Sequence, residues 1–159
     1  MEKNKKKKLV KIILGVIALG IVSVIVVVAV IFLTPHRDVK NTPTDFVVNS
    51  TSLVEEYLKD SQSANEKYLS EDGDSKIFEV TGRVDQIMKN MKDESVVVLK
   101  PEGEELGVQC TFTLKEDLSN IKEGDNIKVK GKIEQGASYD EDLEIGEDVI
   151  IGECSLVNE

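Results

Sequence analysis

The segment from Ile12 to Leu33 constrains this chain more than any other, because it holds 22 consecutive residues without a charge. Its only polar side chain is Ser23. A helix of this length spans ~33 Å, which is enough to cross a hydrocarbon core about 30 Å thick. In lipid the backbone must satisfy its own hydrogen bonds, and a helix is the only way that a single segment does so. The sequence therefore predicts a transmembrane helix over residues 12–33.

The residues before this run are strongly basic. Five lysines fall within the first eight residues, and the positive-inside rule then places residues 1–11 in the cytoplasm as a basic tail. A cleaved signal peptide is the alternative, since signal peptides and uncleaved membrane anchors both begin with basic residues followed by an apolar run. However, the run is longer than the roughly 7–15 residues of a signal peptide, and no small-x-small cleavage site follows Leu33. We therefore expect a single-pass anchor in the cell membrane, with the C-terminal domain extracytoplasmic.

The charge of the chain differs sharply between its two ends. The whole chain has a formal net charge of −10, but residues 1–33 hold six lysines and one acid. This leaves 14 basic and 29 acidic side chains, a net charge of −15, in residues 34–159. From Ile133 onward there are nine acids and no lysine or arginine. Such asymmetry indicates that the two ends face different surroundings.

Residues 34–50 predict a juxtamembrane linker, because they hold two of the three prolines together with Asp, Asn and Thr. From Thr51 to Leu69 apolar residues recur with a period near 3.6, which predicts an amphipathic helix. Ser52, with Glu55 three residues later, fits a capping box at the start of that helix. We expect residues 51–159 to form one extracytoplasmic domain.

After Ser75 the apolar period changes to two, which is typical of strands with one buried face. Five segments show it, and Cys110, Leu114, Ile150 and Cys154 are among the residues that we assign to buried faces. Five such strands within about eighty residues favour a closed barrel over an open sheet with exposed edges. The segments are 76–87, 95–100, 107–114, 126–133 and 148–157.

Several motifs resemble, in order, the tRNA-anticodon-binding-like OB-fold family, whose members include many bacterial membrane-anchored or exported proteins. These motifs are ANEKYL, FEVTGRVDQI, GVQCTF, LSNIKEGDNIKVKGKI and DVIIGECSLV, between about residues 64 and 157. The resemblance implies a mainly β fold: a five-stranded Greek-key OB-fold barrel preceded by an amphipathic helix, here with an N-terminal transmembrane helix. Gly82 and Gly131 fall in mid-strand, where a small barrel coils sharply or another backbone comes close.

The resemblance also implies where a ligand would bind. An OB barrel binds on the face of its second and third strands, between its first and fourth connecting loops. In this chain that face would include Gln109, Thr111 and Thr113, with Tyr139 from the last long loop. Single-stranded nucleic acid requires cationic side chains and several exposed aromatics there, and counterion release requires a positive surface. We therefore do not expect nucleic acid as a partner.

In the OB strand order the third and fifth strands are neighbours, so Cys110 and Cys154 could come close. Either they form a disulfide, which is permissible outside the cytoplasm, or they are two buried thiols packed as small apolar side chains.

The one histidine lies in the linker, and neither a Gly-rich phosphate loop nor a metal-ligand spacing is present. We expect no enzymatic activity, no metal and no cofactor.

These features predict a non-enzymatic, membrane-anchored OB-fold binding module outside the cytoplasm, whose ligand is a small molecule or an envelope protein partner. One alternative is a structural or stress-response envelope module without a specific ligand. Another is a sensor of cations or small molecules that uses the acidic loop 140–148.

Overall fold

A computed structural model describes residues 20–26, 38–70 and 74–157. The chain divides into two compact units, Met1–Arg37 and Asp38–Glu159. In the first unit residues 20–26 are helical, and Ser23 Oγ donates to the Gly20 carbonyl oxygen at 2.8 Å. Within the described ranges, none of the helices has the length and apolarity needed to cross a membrane. Most of the transmembrane helix predicted over residues 12–33 lies outside those ranges.

The second unit contains eight strands and two helices among its described residues. The helices are α1 (Ser50–Lys59) and α2 (Ser61–Tyr68). The strands are β1 (Phe46–Asn49), β2 (Ile77–Lys89), β3 (Ser95–Leu99), β4 (Val108–Phe112), β5 (Asn126–Gln135), β6 (Ser138–Asp140), β7 (Ile145–Glu147) and β8 (Val149–Leu156).

Five of these strands close into a barrel in the order β2–β3–β4–β8–β5. Closure depends on the length of β2, because residues 77–83 pair with β5 whereas residues 84–89 pair with β3. All pairs in the barrel are antiparallel except β4 with β8. The mainly β fold, the closed barrel and the five predicted strands are thus confirmed.

The inner faces of the barrel strands form one apolar core. Phe78, Val80 and Val84 on β2 are fully buried, as their period of two predicts. Gly131 lies where β5 comes close to β8: a Cβ at this position would lie 2.8 Å from Cys154 Sγ and 3.0 Å from the Gly152 carbonyl oxygen. The expected role of this mid-strand glycine, a close approach of another strand, is confirmed.

The helical segment differs from the prediction in two ways. Asp60 interrupts it with φ −158° and ψ 85°, and then accepts a hydrogen bond from the Ser63 N–H at 3.0 Å as the N-cap of α2. The predicted capping box was wrong, because Asn49 is the N-cap of α1 and its Oδ1 accepts from the Ser52 N–H at 2.7 Å. The buried face of the two helices joins the barrel core through Leu53, Val54, Tyr57, Ala64 and Tyr68.

The segment interpreted as a linker contains strand β1, which pairs in parallel with β2 over Phe46–Asn49. Two residues assigned to buried faces lie elsewhere. Leu114 is 72% exposed, because β4 ends at Phe112. Ile150 is on the outer side of β8, because Glu153, with φ +53°, lies in an irregular part of the strand. As a result Ile151 and Cys154, three residues apart, both point inward.

Candidate functional site

A groove with a volume of about 670 Å³ lies between α1, the loop that joins β3 to β4, and the β6–β7 hairpin. Three segments that are distant in the sequence therefore build one concave surface. Its apolar part includes Val54, Leu58, Leu106, Ala137 and Tyr139. This volume is within the range of roughly 300–1,000 Å³ that is usual for ligand sites.

The hairpin is held against α1 by a close contact at its base. A Cβ on Gly136 would overlap the ring of Tyr57, so only glycine allows the chain to pass the helix at this distance. At the tip, Asp140 Oδ1 accepts from the N–H groups of Asp142 at 2.9 Å and Leu143 at 3.0 Å. These bonds shape the turn between β6 and β7.

Asp148 fixes the loop on the other side of the groove. Its Oδ1 accepts from the Gly107 N–H at 2.8 Å, and its Oδ2 accepts from Gln109 Nε2 at 3.0 Å. Leu106 packs against the hairpin, where a Cβ on Gly146 would overlap it. One carboxylate thus joins the base of the hairpin to the start of β4.

The rim of the groove is acidic. No lysine, arginine or histidine lines it among the residues that the structure describes. Its potential is therefore negative, and a concave surface lined by a single sign of charge attracts ligands of the opposite sign. The carboxylates are those of Glu55, Glu104, Glu105 and Glu141, and all four residues are exposed.

Tyr57 lines the same groove but is only 1% exposed. Its hydroxyl has no hydrogen-bond partner among the described residues. Burial, followed by the proximity of Tyr68 and Glu56, raises the pKa of Tyr57 to about 12. The hydroxyl therefore remains neutral over the physiological range and can still donate and accept.

A second recess, with a volume of about 480 Å³, shares Glu105 and Leu106 with the groove. It lies along β4 and the base of the hairpin. Its other lining residues are Gln109, Gln135, Gly146, Glu147, Asp148 and Ile150. The two concave surfaces are therefore adjacent, and both are rich in acids.

The four residues of the predicted binding face lie in different surroundings. Tyr139 lines the groove and is 41% exposed, whereas Gln109 lies in the second recess with its amide held by Asp148. Thr111 on β4 and Thr113 just beyond it line neither. Sequence reasoning missed Leu58 and Glu104 as site residues, whereas the acidic loop 140–148, named there as a possible sensor, contributes Glu141 to the groove.

Both cysteines are buried free thiols in this structure. Burial, followed by a hydrogen bond with Cys110, raises the pKa of the Cys154 thiol well above its ordinary value. Cys154 Sγ also donates to the Ile151 carbonyl oxygen at 3.3 Å. A disulfide between the two stays a prediction, which alkylation of the unfolded, unreduced chain followed by mass spectrometry would test.

The lysines of β5 are partly occupied by contacts within the unit. Lys130 Nζ donates to the Thr42 carbonyl oxygen at 2.6 Å, and Lys132 forms an ion pair with Glu153 at 3.2 Å.

No group of three or more His, Cys, Asp or Glu side chains in the described part of the chain is arranged to hold a metal ion.

A closed barrel with this strand order, bearing a groove beside its fourth connecting loop, defines an OB-like fold. The family model tRNA_anti-like matches residues 1–142, which is most of the chain. The chain therefore belongs to the tRNA_anti-like family. The match begins at residue 1, so the basic tail and the apolar run fall within it. No curated protein matches the chain.

Proposed function

We propose that this chain is a non-enzymatic binding module, anchored by residues 12–33, that presents its OB-like barrel outside the cytoplasm to an envelope protein partner. The observation that carries the proposal is the groove between α1 and the β6–β7 hairpin. It combines an open apolar surface with polar groups at its rim, which is the usual composition of a binding site.

The anchor and its orientation are supported by the sequence. Six lysines precede the apolar run, whereas residues 34–159 carry a net charge of −15. Lysine-rich flanks are retained on the cytoplasmic side of a membrane.

The polar residues of the groove support a binding role. Besides its glutamates, the groove is lined by Thr51, Ser61 and Ser138, whose hydroxyl groups can form hydrogen bonds with a partner. Its four glutamates are exposed on the rim instead of being held in pairs by hydrogen bonds.

In-cell photo-crosslinking tests the proposal, because it captures whichever protein lies against the groove. A photo-reactive amino acid at Leu58, which is 50% exposed in the groove, is expected to give a discrete adduct in intact cells. The same probe at Leu114, which is 72% exposed and outside the groove, is the matched control. The proposal is wrong if the adducts from both positions are the same or if neither position gives one.

Charge also predicts which ligands do not bind. The second recess, which reaches the third barrel strand at Gln109, is lined by Glu105, Glu147 and Asp148. We expect no binding of single-stranded RNA or DNA to the full chain in nanodiscs, measured by fluorescence anisotropy at low salt. Tight binding that weakens steeply with salt would contradict this.

A further inference from the structure

We infer that the groove binds a polypeptide segment in which lysine or arginine stands next to apolar side chains. This inference rests on the proposed function and adds the chemistry of the partner to it. It follows from three properties of the groove: its charge, its exposed apolar residues and the free edges of its hairpin.

The charge of the groove selects a cationic partner. Four glutamates line it without a compensating base among the described residues. None of the four forms an ion pair within the described part of the chain. Their carboxylates are therefore available to ammonium or guanidinium groups, and they disfavour an anionic ligand.

The exposed apolar residues of the groove indicate that its partner carries apolar side chains as well as positive charge. Leu58 is 50% exposed and Tyr139 is 41% exposed within the groove. Leu143 and Ile145, farther along the same hairpin, are 66% and 58% exposed. A partner with apolar side chains beside its cations would cover this surface, whereas a bare metal ion or a small polar amine would leave it in water.

The hairpin favours a peptide as that partner. β6 and β7 pair only with each other, so no third strand joins them among the described residues. Their outer edges therefore present N–H and C=O groups to which an extended peptide can add. Tyr57, whose buried hydroxyl has no partner in the described part, lines the same groove and offers a further polar contact.

The test uses the full chain in nanodiscs of zwitterionic lipid and three labelled eight-residue peptides. Leucine alternates with lysine in the first, with glutamine in the second and with glutamate in the third. By fluorescence anisotropy, we expect the lysine peptide to bind about tenfold more tightly than the glutamine peptide, and the glutamate peptide most weakly. The preference for lysine is expected to shrink as sodium chloride is raised from about 50 to about 500 mM.

A pair of variants with equal charge tests whether the groove is the site. Glu55→Gln with Glu141→Gln removes two rim charges, and we expect it to weaken the lysine peptide about 5- to 20-fold. Glu66→Gln with Glu123→Gln removes two exposed charges that do not line the groove, and is expected to change little. An equal loss in both variants would overturn the inference, because attraction would then come from net charge alone.

Other results separate this inference from the proposed function. If all three peptides bind equally and the Leu58 adduct is present in cells, the groove is a binding site, but the inference that it prefers cationic peptides is wrong. If no peptide binds while that adduct is present, the inference is likewise wrong and the proposed function stands. If the lysine peptide binds at the groove but no adduct forms in cells, the chemistry is supported and the proposed function is not.

Discussion

The hydroxyl of Tyr57 is buried without a hydrogen-bond partner among the described residues. Buried polar groups are nearly always paired, and an unpaired one costs about 1–3 kcal/mol. Tyr68, a neighbouring buried tyrosine, shows the usual arrangement, because its hydroxyl donates to Glu56 Oε2 at 2.7 Å. The two tyrosines are both buried in the same core and differ in this bond, so they form a natural pair for comparison.

We expect Tyr57→Phe to leave the free energy of unfolding unchanged or to raise it by up to about 1 kcal/mol, because it removes an unsatisfied group and keeps the ring. Tyr68→Phe is expected to lower it by about 1–2 kcal/mol, since it breaks a hydrogen bond to a carboxylate. Urea unfolding of the full chain in nanodiscs measures both. A loss from Tyr57→Phe as large as that from Tyr68→Phe would contradict this assignment.

The raised pKa of Tyr57, about 12 against an ordinary 10.0, makes stability depend on alkaline pH. Between about pH 10 and pH 12 the unfolded chain loses this proton while the folded chain keeps it, so stability falls as the pH rises. Between pH 9 and pH 11.5 the expected loss from this one group is about 2 kcal/mol. Unfolding midpoints at pH 9 and pH 11.5 measure it, and Tyr57→Phe should make the dependence shallower. An identical dependence in that variant would show that other groups cause it.

At the scale of elements, periodicity predicted the strands well and their ends less well. A period of two identifies β2 and β5 because each is long and has one buried face. The buried face of β8 was partly wrong, since Glu153 in its irregular part shifts the face. Such an irregularity is defined by the pairing of two strands, and the pattern of apolar residues along one strand carries no information about that pairing. The same limit applies to the site, because its three segments meet only after the barrel closes.

The start of α1 offers a test of which residue is the cap. Asn49 and Ser52 are both good N-cap residues, so sequence alone did not separate them. Because Asn49 Oδ1 accepts from the Ser52 N–H, Asn49→Ala should lower the free energy of unfolding by about 1 kcal/mol. Ser52→Ala should change it by less than about 0.5 kcal/mol, since the Ser52 side chain is exposed. If urea unfolding shows a larger loss for Ser52→Ala than for Asn49→Ala, the capping box predicted at Ser52 is correct and the cap at Asn49 is not.

At the scale of the whole molecule, the fold was predictable from the sequence and the location of the candidate site was not. The closed barrel followed from five short amphipathic strands, whose edges must be paired. The charge of −15 on residues 34–159 indicated an acidic surface but not its location. The groove brings Glu55 and Glu104 together from distant parts of the chain, and only the tertiary structure defines that proximity.

The proposed topology makes a prediction for intact cells. Protease added outside is expected to remove an epitope tag placed after Glu159, while a tag placed before Met1 remains protected until the membrane is opened. The physical reason is that the basic tail is retained in the cytoplasm and the apolar run holds the chain in the bilayer. Immunoblotting with both tags measures the result. Protection of the C-terminal tag in intact cells would reverse the topology.

The β6–β7 hairpin leaves and rejoins the barrel between β5 and β8, two strands that already pair directly with each other. Closure of the barrel therefore does not depend on what the hairpin contains, provided that Gly136 still allows the chain to pass Tyr57. Doubling the length of such an excursion costs only ~0.6 kcal/mol of closure entropy. Homologues can thus evolve new specificities by exchanging this short insert alone, and an engineer can graft a chosen recognition loop there.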